Sequence, residues 1–159
     1  MVIDDGVATH FESGDRSMVM ATLGADGTPR ASRAWGFKFE AGGERFRALV
    51  AADDAVAIAN LRATGAVALT AASVPTLAAL QLKGRVVSVE EADDADRARF
   101  ARYKEMFFEA VHVTDATNDV DAIARMAPRD VVAVVATADS VFDQTPGPTA
   151  GSRLGAGDA

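Results

Sequence analysis

Residues 17–39 read SMVMATLGADGTPRASRAWGFKF, and the fold turns on this stretch. Ser17 to Leu23 is short and rich in Val, Thr and Met, and it runs into Gly24-Ala25-Asp26-Gly27-Thr28-Pro29, a dense turn signal. Together they predict the first strand and turn of a β-hairpin. The second strand, Arg30 to Phe39, alternates: Ala31, Arg33, Trp35, Phe37 and Phe39 share one face, and Arg30, Ser32, Ala34, Gly36 and Lys38 the other, because successive strand residues point to opposite sides. The bulky set marks the core side. A second turn, Glu40-Ala41-Gly42-Gly43, leads to a third strand at Arg45 to Val50, with Phe46, Ala48 and Val50 opposite Arg45, Arg47 and Leu49.

Beyond this meander, Asp53 and Asp54 are N-cap candidates for a short helix through Arg62 that stops at Gly65, with Ala55, Ile58, Ala59 and Arg62 on one stripe. Strand signals return at Ala66 to Ala71 and at Gln81 to Val89, where Gly84 suggests a bulge or a close backbone approach. The acidic run Glu90, Glu91, Asp93, Asp94 and Asp96 reads as the solvated start of a helix of roughly five turns, whose apolar stripe is Phe100, Tyr103, Phe107 and Ala110. A shorter helix is expected from about Asn118 to Pro128, then an interior strand at Val131 to Thr137. Residues 145–159, with Pro146-Gly147-Pro148, read as loop or disorder. The order β-β-β-α-β-β-α-α-β is not that of a doubly wound sheet. It predicts one mainly β domain over residues 1–144, a small closed or split barrel with peripheral helices.

Composition removes several function classes. The 159 residues carry 16 Lys plus Arg against 23 Asp plus Glu, a net charge of −7, which argues against a phosphate-backbone binder. There is no cysteine, so disulfides, thiolate metal sites and thiol catalysis are excluded, and two histidines do not make a His-rich metal site. The apolar set is dominated by 34 Ala and 18 Val, a core of small side chains that a partner subunit would help to bury. The first ten residues lack the basic start and apolar run of a signal peptide, so a cytoplasmic protein is expected. The uncharged stretch Ala63 to Leu82 is broken by Gly65, Pro75 and Gln81, which suits strand, loop and strand better than a membrane span.

No Walker, dinucleotide or Gly-x-Ser-x-Gly motif is present. His10 and His112 lack sequence-local partners, and the acidic run contains no calcium-loop pattern. What stands out is the placing of Arg30, Arg33, Lys83 and Arg85 within strands that otherwise look core-forming. Charges there need solvent or an anion, so they are either rim residues or ligand contacts. Trp35 falls on the face of Arg33, which suits a planar ligand between a cation and an aromatic wall, or simply a core tryptophan. Gln81 offers a donor and an acceptor to a heterocycle edge, or to backbone at a strand start.

The string Ala21-Thr22-Leu23-Gly24-Ala25-Asp26-Gly27-Thr28-Pro29-Arg30-Ala31-Ser32-Arg33 resembles the opening hairpin of the pyridoxamine 5'-phosphate oxidase-like family, the FMN-binding split barrels. The resemblance continues through Ala59-Asn60-Leu61-Arg62, Ala66 to Thr70, Leu80-Gln81-Leu82-Lys83-Gly84-Arg85 and Val131 to Asp143. It implies a six-stranded antiparallel split barrel and a homodimer with flavin sites at the subunit interface. Ser32, Arg33, Ala34 and Trp35 then match the positions that line the flavin ring and ribityl chain, and Gln81 a glutamine that reaches the flavin.

The family's Ser-Arg-Lys phosphate cluster at the start of the first helix is replaced here by Ala55-Val56-Ala57, preceded by Asp53 and Asp54. The phosphate would therefore fall to Lys83 or Arg85. Phe142-Asp143-Gln144-Thr145-Pro146-Gly147-Pro148 stands where true pyridoxamine 5'-phosphate oxidases carry an Arg- and Trp-bearing substrate segment, so vitamin B6 oxidation is not expected. The resemblance implies an FMN-binding oxidoreductase of unassigned substrate and no assigned catalytic residue. The alternative is a non-catalytic split barrel for a deazaflavin, haem or other planar ligand, or one that has lost its flavin site.

Overall fold

The computed structural model describes residues 3–114, 121 and 124–155. The elements are α1 (Asp5–Glu12), β1 (Arg16–Leu23), β2 (Pro29–Phe39), β3 (Arg45–Ala51), α2 (Ala55–Thr64), β4 (Ala66–Ser73), β5 (Ala79–Glu91), α3 (Asp94–Thr114), β6 (Val131–Asp143) and β7 (Arg153–Leu154). Strands β3-β2-β1-β4-β5-β6 pair antiparallel in that order, and β3 pairs with β6 to close a six-stranded barrel; β7 is an extra strand on β6. Of the helix expected from Asn118 to Pro128, residues 118–120, 122 and 123 lie outside the described residues. Among the described residues no helix is long and apolar enough to cross a membrane.

The hairpin strands form as their alternation predicts, but β2 changes face midway. The register slips between Ala34 and Phe37, opposite Val50 and Ala48, and Gly36 at the slip has φ +144°. This bulge inserts one residue and reverses the side-chain alternation. Ala34 and Phe37 consequently face the barrel interior with Phe46, while Trp35 lies under α3, edge-on to Phe100 and Tyr103. Trp35 and Phe37 are therefore not on a common face.

Helix α1, absent from the sequence reading, closes one barrel end. Asp4 caps it, and fully buried Phe11 packs on Phe37 and Phe39. Burying such a ring stabilises by roughly 1.5–3 kcal/mol. Helix α2 closes the other end, stopped by Gly65 at φ +65°. Its buried residues are Ala57 and Leu61, one turn apart, and not the stripe of Ala55, Ile58, Ala59 and Arg62. Its capping residue aims the helix, and the five consecutive apolar residues 55–59 gave the periodicity no preferred side.

Helix α3 buries Phe100, Tyr103 and Phe107 against the outside of the barrel, as its spacing predicts. Its acidic start is not all solvated. Asp96 is fully buried and takes Arg47 from β3 at 2.7 Å and Arg99 at 2.6 Å, and Arg47 also reaches Glu90 at 2.7 Å. The segment from Thr145 is also more than loop: Thr145 Oγ1 accepts from Ala79 N–H at 3.0 Å, Thr149 donates to Asp143, and β7 extends the sheet.

Candidate functional site

The outer face of β2, β1, β4, β5 and β6 presents side chains in cross-strand rows, because residues directly opposite in register point the same way. One row is Arg33, Val19, Thr70, Gln81 and Phe142; the next is Ala31, Ala21, Ala68, Lys83 and Ser140. Arg85 follows beside Ala66 and Thr137. Four of the seven residues predicted to hold a cofactor, Arg33, Gln81, Lys83 and Arg85, thus share one face of the barrel. The face is small-residued and open, with Val19 and Leu23 about two-fifths exposed.

A groove of about 470 Å³ runs along the Lys83–Arg85 side, floored by Ala21, Ala66 and Ala68 and edged by Pro29 and Asp139. Lys83 Nζ sits 4.5 Å from the centre of the Phe142 ring, and Arg85 reaches the carbonyl of Thr64 at 3.5 Å. Neither has a carboxylate partner among the described residues. Gln81 Nε2 donates to Thr70 Oγ1 at 3.0 Å, which leaves its amide oxygen as an acceptor directed by a fixed partner. Thr70 was not anticipated as part of this arrangement; only the register of β4 on β5 reveals it.

Arg33 stands at the opposite margin. Three strand spacings separate it from Gln81, about 14 Å. Its guanidinium lies 4.9 Å from the Phe107 ring and 5.5 Å from the Trp35 ring and reaches Ser17 Oγ at 3.4 Å. A cation over two aromatic faces is attracted by both rings, and no carboxylate pairs with it among the described residues. Trp35 itself is 3% exposed, so it shapes Arg33 and offers no open wall.

Ser32 and Ala34 point to the other side of β2. Ala34 is fully buried in the barrel, so contact with a ligand on the outer face falls to its backbone. Ser32 and Arg30 both donate to Asp54, at 2.5 and 3.0 Å. Asp54 also accepts from Ala57 N–H as the N-cap of α2. Burial opposes ionisation of Asp54, yet the bonds from Ser32, Ala57 and Arg30 outweigh it and hold the carboxyl below its ordinary range. The start of α2 is therefore already occupied by an internal anion and does not fit a ligand phosphate. Both histidines lie off the face: His10 Nε2 is bonded to Ala71 O, and His112 is in the last turn of α3. No cluster of metal-ligating side chains occurs among the described residues.

The chain was compared with known proteins at the level of sequence and of fold. The family model described as pyridoxamine 5'-phosphate oxidase matches residues 7–143. The curated proteins give no match. Among solved structures, an F420 reductase superposes with a TM-score of 0.56 at 19% identity, covering 87% of this chain and 98% of that one. HupZ of Group A Streptococcus superposes with a TM-score of 0.56 at 15% identity, over 94% of this chain and 99% of that one. These likenesses concern the fold. With the family model spanning the barrel from α1 to the end of β6, the chain belongs to the pyridoxamine 5'-phosphate oxidase-like family of FMN-binding split barrels.

Proposed function

We propose that the chain binds FMN on the outer barrel face and acts as an oxidoreductase of small molecules. The observation that carries this reading is that Gln81, Lys83 and Arg85 follow one another on the outer side of β5, the two cations lining a groove floored by alanines and neither paired with a carboxylate among the described residues. Alanines at 21, 66 and 68 let a flat ring approach the strands closely. Gln81 offers its amide oxygen to a ring N–H, while Lys83 and Arg85 offer charge-assisted bonds to the phosphate. Arg33 supplies fixed positive charge at the far margin, where reduction leaves negative charge on a ring. A bound flavin supplies the hydride-transfer chemistry; the protein contributes position and polarity.

The open face and its small residues support a homodimer in which a second copy covers the ring. Light scattering at about twice the chain mass is the expected result, and a monomer would count against it. A second reading, a deazaflavin in place of FMN, draws support from the closed phosphate site at Asp54 and from the F420 reductase among the structural neighbours. The deciding experiment is the absorption spectrum after mixing with FMN and removing free ligand. A retained two-band flavin spectrum supports FMN; protein absorption alone, with retention of the deazaflavin, selects the second reading.

A further inference from the structure

A second concavity, of about 440 Å³, lies between α1, β2 and α3 on a side of the barrel separate from the flavin face. Its walls include Met18, Phe37, Tyr103 and Met106, and Gly14 and Gly36 line it with bare backbone. Around it stand three cations, Lys38 on β2 and Arg99 and Arg102 one turn apart on α3. Arg99 spends one nitrogen on Asp96. Lys38 and Arg102 have no hydrogen-bond or ion-pair partner among the described residues. The only carboxylate in the lining is Glu12, and one of its oxygens is engaged by the N–H of Phe39 at 2.8 Å.

In a chain with 23 acids and 16 basic residues, two cations without partners among the described residues, lining a recess beside the exposed side chain of Met106 and the bare backbone of Gly14 and Gly36, are an arrangement that a small organic anion completes. The hydroxyl of Tyr103 is already spent on Arg16 O at 2.6 Å, so specificity falls to the cations. We propose that this recess binds a small organic anion, an aryl or alkyl carboxylate. Its apolar part lies on Met106 and the bare backbone at Gly14 and Gly36, and its carboxylate is taken by Arg102 and Lys38. The volume suits a single small molecule, and the guanidinium fork suits a carboxylate. The inference stands apart from the flavin reading, since it shares no residue with the outer face.

The test uses 8-anilinonaphthalene-1-sulfonate, an aromatic anion that brightens when bound, titrated into the full chain. Saturable brightening at about one probe per chain is expected, with displacement by benzoate. Lys38→Gln with Arg102→Gln weakens binding about tenfold or more, the scale of a lost charge-assisted bond. Lys83→Gln with Arg85→Gln leaves it unchanged. Arg102 is exposed, so Arg102→Gln alone gives a folded readout should the double variant fail to fold. The proposal is overturned by absence of saturable binding, by loss through the Lys83 and Arg85 changes instead, or by equal affinity for the uncharged N-phenyl-1-naphthylamine.

Discussion

Ser32 donates to Asp54 at 2.5 Å across 22 positions of sequence, and Arg30 reaches the same carboxylate at 3.0 Å. These bonds join the start of β2 to the start of α2 and place an internal negative charge at the first N–H groups of the helix. A helix N-terminus favours one anion, and here the chain supplies its own.

Replacing Asp54 by Ser keeps a capping oxygen and removes the charge, so α2 remains formed with a stability change within about 1 kcal/mol. Arg30 and Ser32 then become available to a phosphate. With the phosphate held by Lys83 and Arg85 on β5, FMN affinity relative to riboflavin should stay unchanged, read as the ratio of dissociation constants in parallel fluorescence titrations. A rise in that relative affinity would move the phosphate from β5 to the start of α2.

Asp96 makes the strongest pH prediction. Burial works against its ionisation, but the hydrogen bonds from Arg47 and Arg99 and from Asp93 N–H prevail and bring its pKa down to about 2. A carboxyl lowered on folding stabilises the protein above its unfolded value near 4 and loses that contribution as pH falls through about 2. The arithmetic gives about 2 kcal/mol lost over that window. Asp96→Asn should unfold with less dependence on pH between 4 and 2. At pH 7 it should be less stable by about 3–5 kcal/mol, since Arg47 is left buried beside an uncharged group. Urea denaturation at the two ends of that window and at pH 7 measures both.

Gly84 is where β5 bends to close the barrel, at a register shift between Lys83 and Gly84. A Cβ there would fall 2.0 Å from the carbonyl oxygen of Thr137 and 3.1 Å from the ring of Phe46. Backbone cannot yield as a side chain does. Gly84→Ala is expected to cost about 3 kcal/mol and to lower the thermal midpoint by about 6–12 degrees, on the scale of about 2–4 degrees per kcal/mol for a chain of this size. A melt within two degrees of wild type would mean that β5 and β6 separate there at little cost.

The strands were legible because their alternation and turn residues are local, and so were the caps of α2, Asp54 and Gly65. The Asp93–Asp96 pair was legible in principle: each carboxylate bonds the other's N–H in a capping box three residues apart. Its partner Arg47 was not, because it lies 49 positions away. The face change of β2 at Gly36 also escaped, since a bulge inserts a residue without altering the local pattern of large and small side chains. For the site, the structure turns Arg33, Lys83 and Arg85 alike to the outer face, whereas periodicity groups Arg33 with the bulky residues read as the core side and leaves Lys83 and Arg85 as rim residues or ligand contacts. Nor could periodicity say that β1 and β4 run between them, because strand order is a tertiary property.

That strand order separates two roles on the outer face and makes them testable apart. Lys83 and Arg85 lie two residues apart on β5, on one side of the groove, whereas Arg33 stands three strands away. If the two β5 cations hold the phosphate, Lys83→Gln with Arg85→Gln weakens FMN by about tenfold or more and leaves riboflavin unaffected, so the preference between the two disappears. Arg33→Ala, distant from that end, should weaken both flavins alike or shift the reduction potential while preserving the preference. Both variants remove exposed or half-exposed cations and should melt within a few degrees of wild type. Titration of FMN and riboflavin into each variant decides the matter: an FMN preference that survives the β5 changes but vanishes in Arg33→Ala would place the phosphate beside Phe107 and reverse the ligand's orientation on the face.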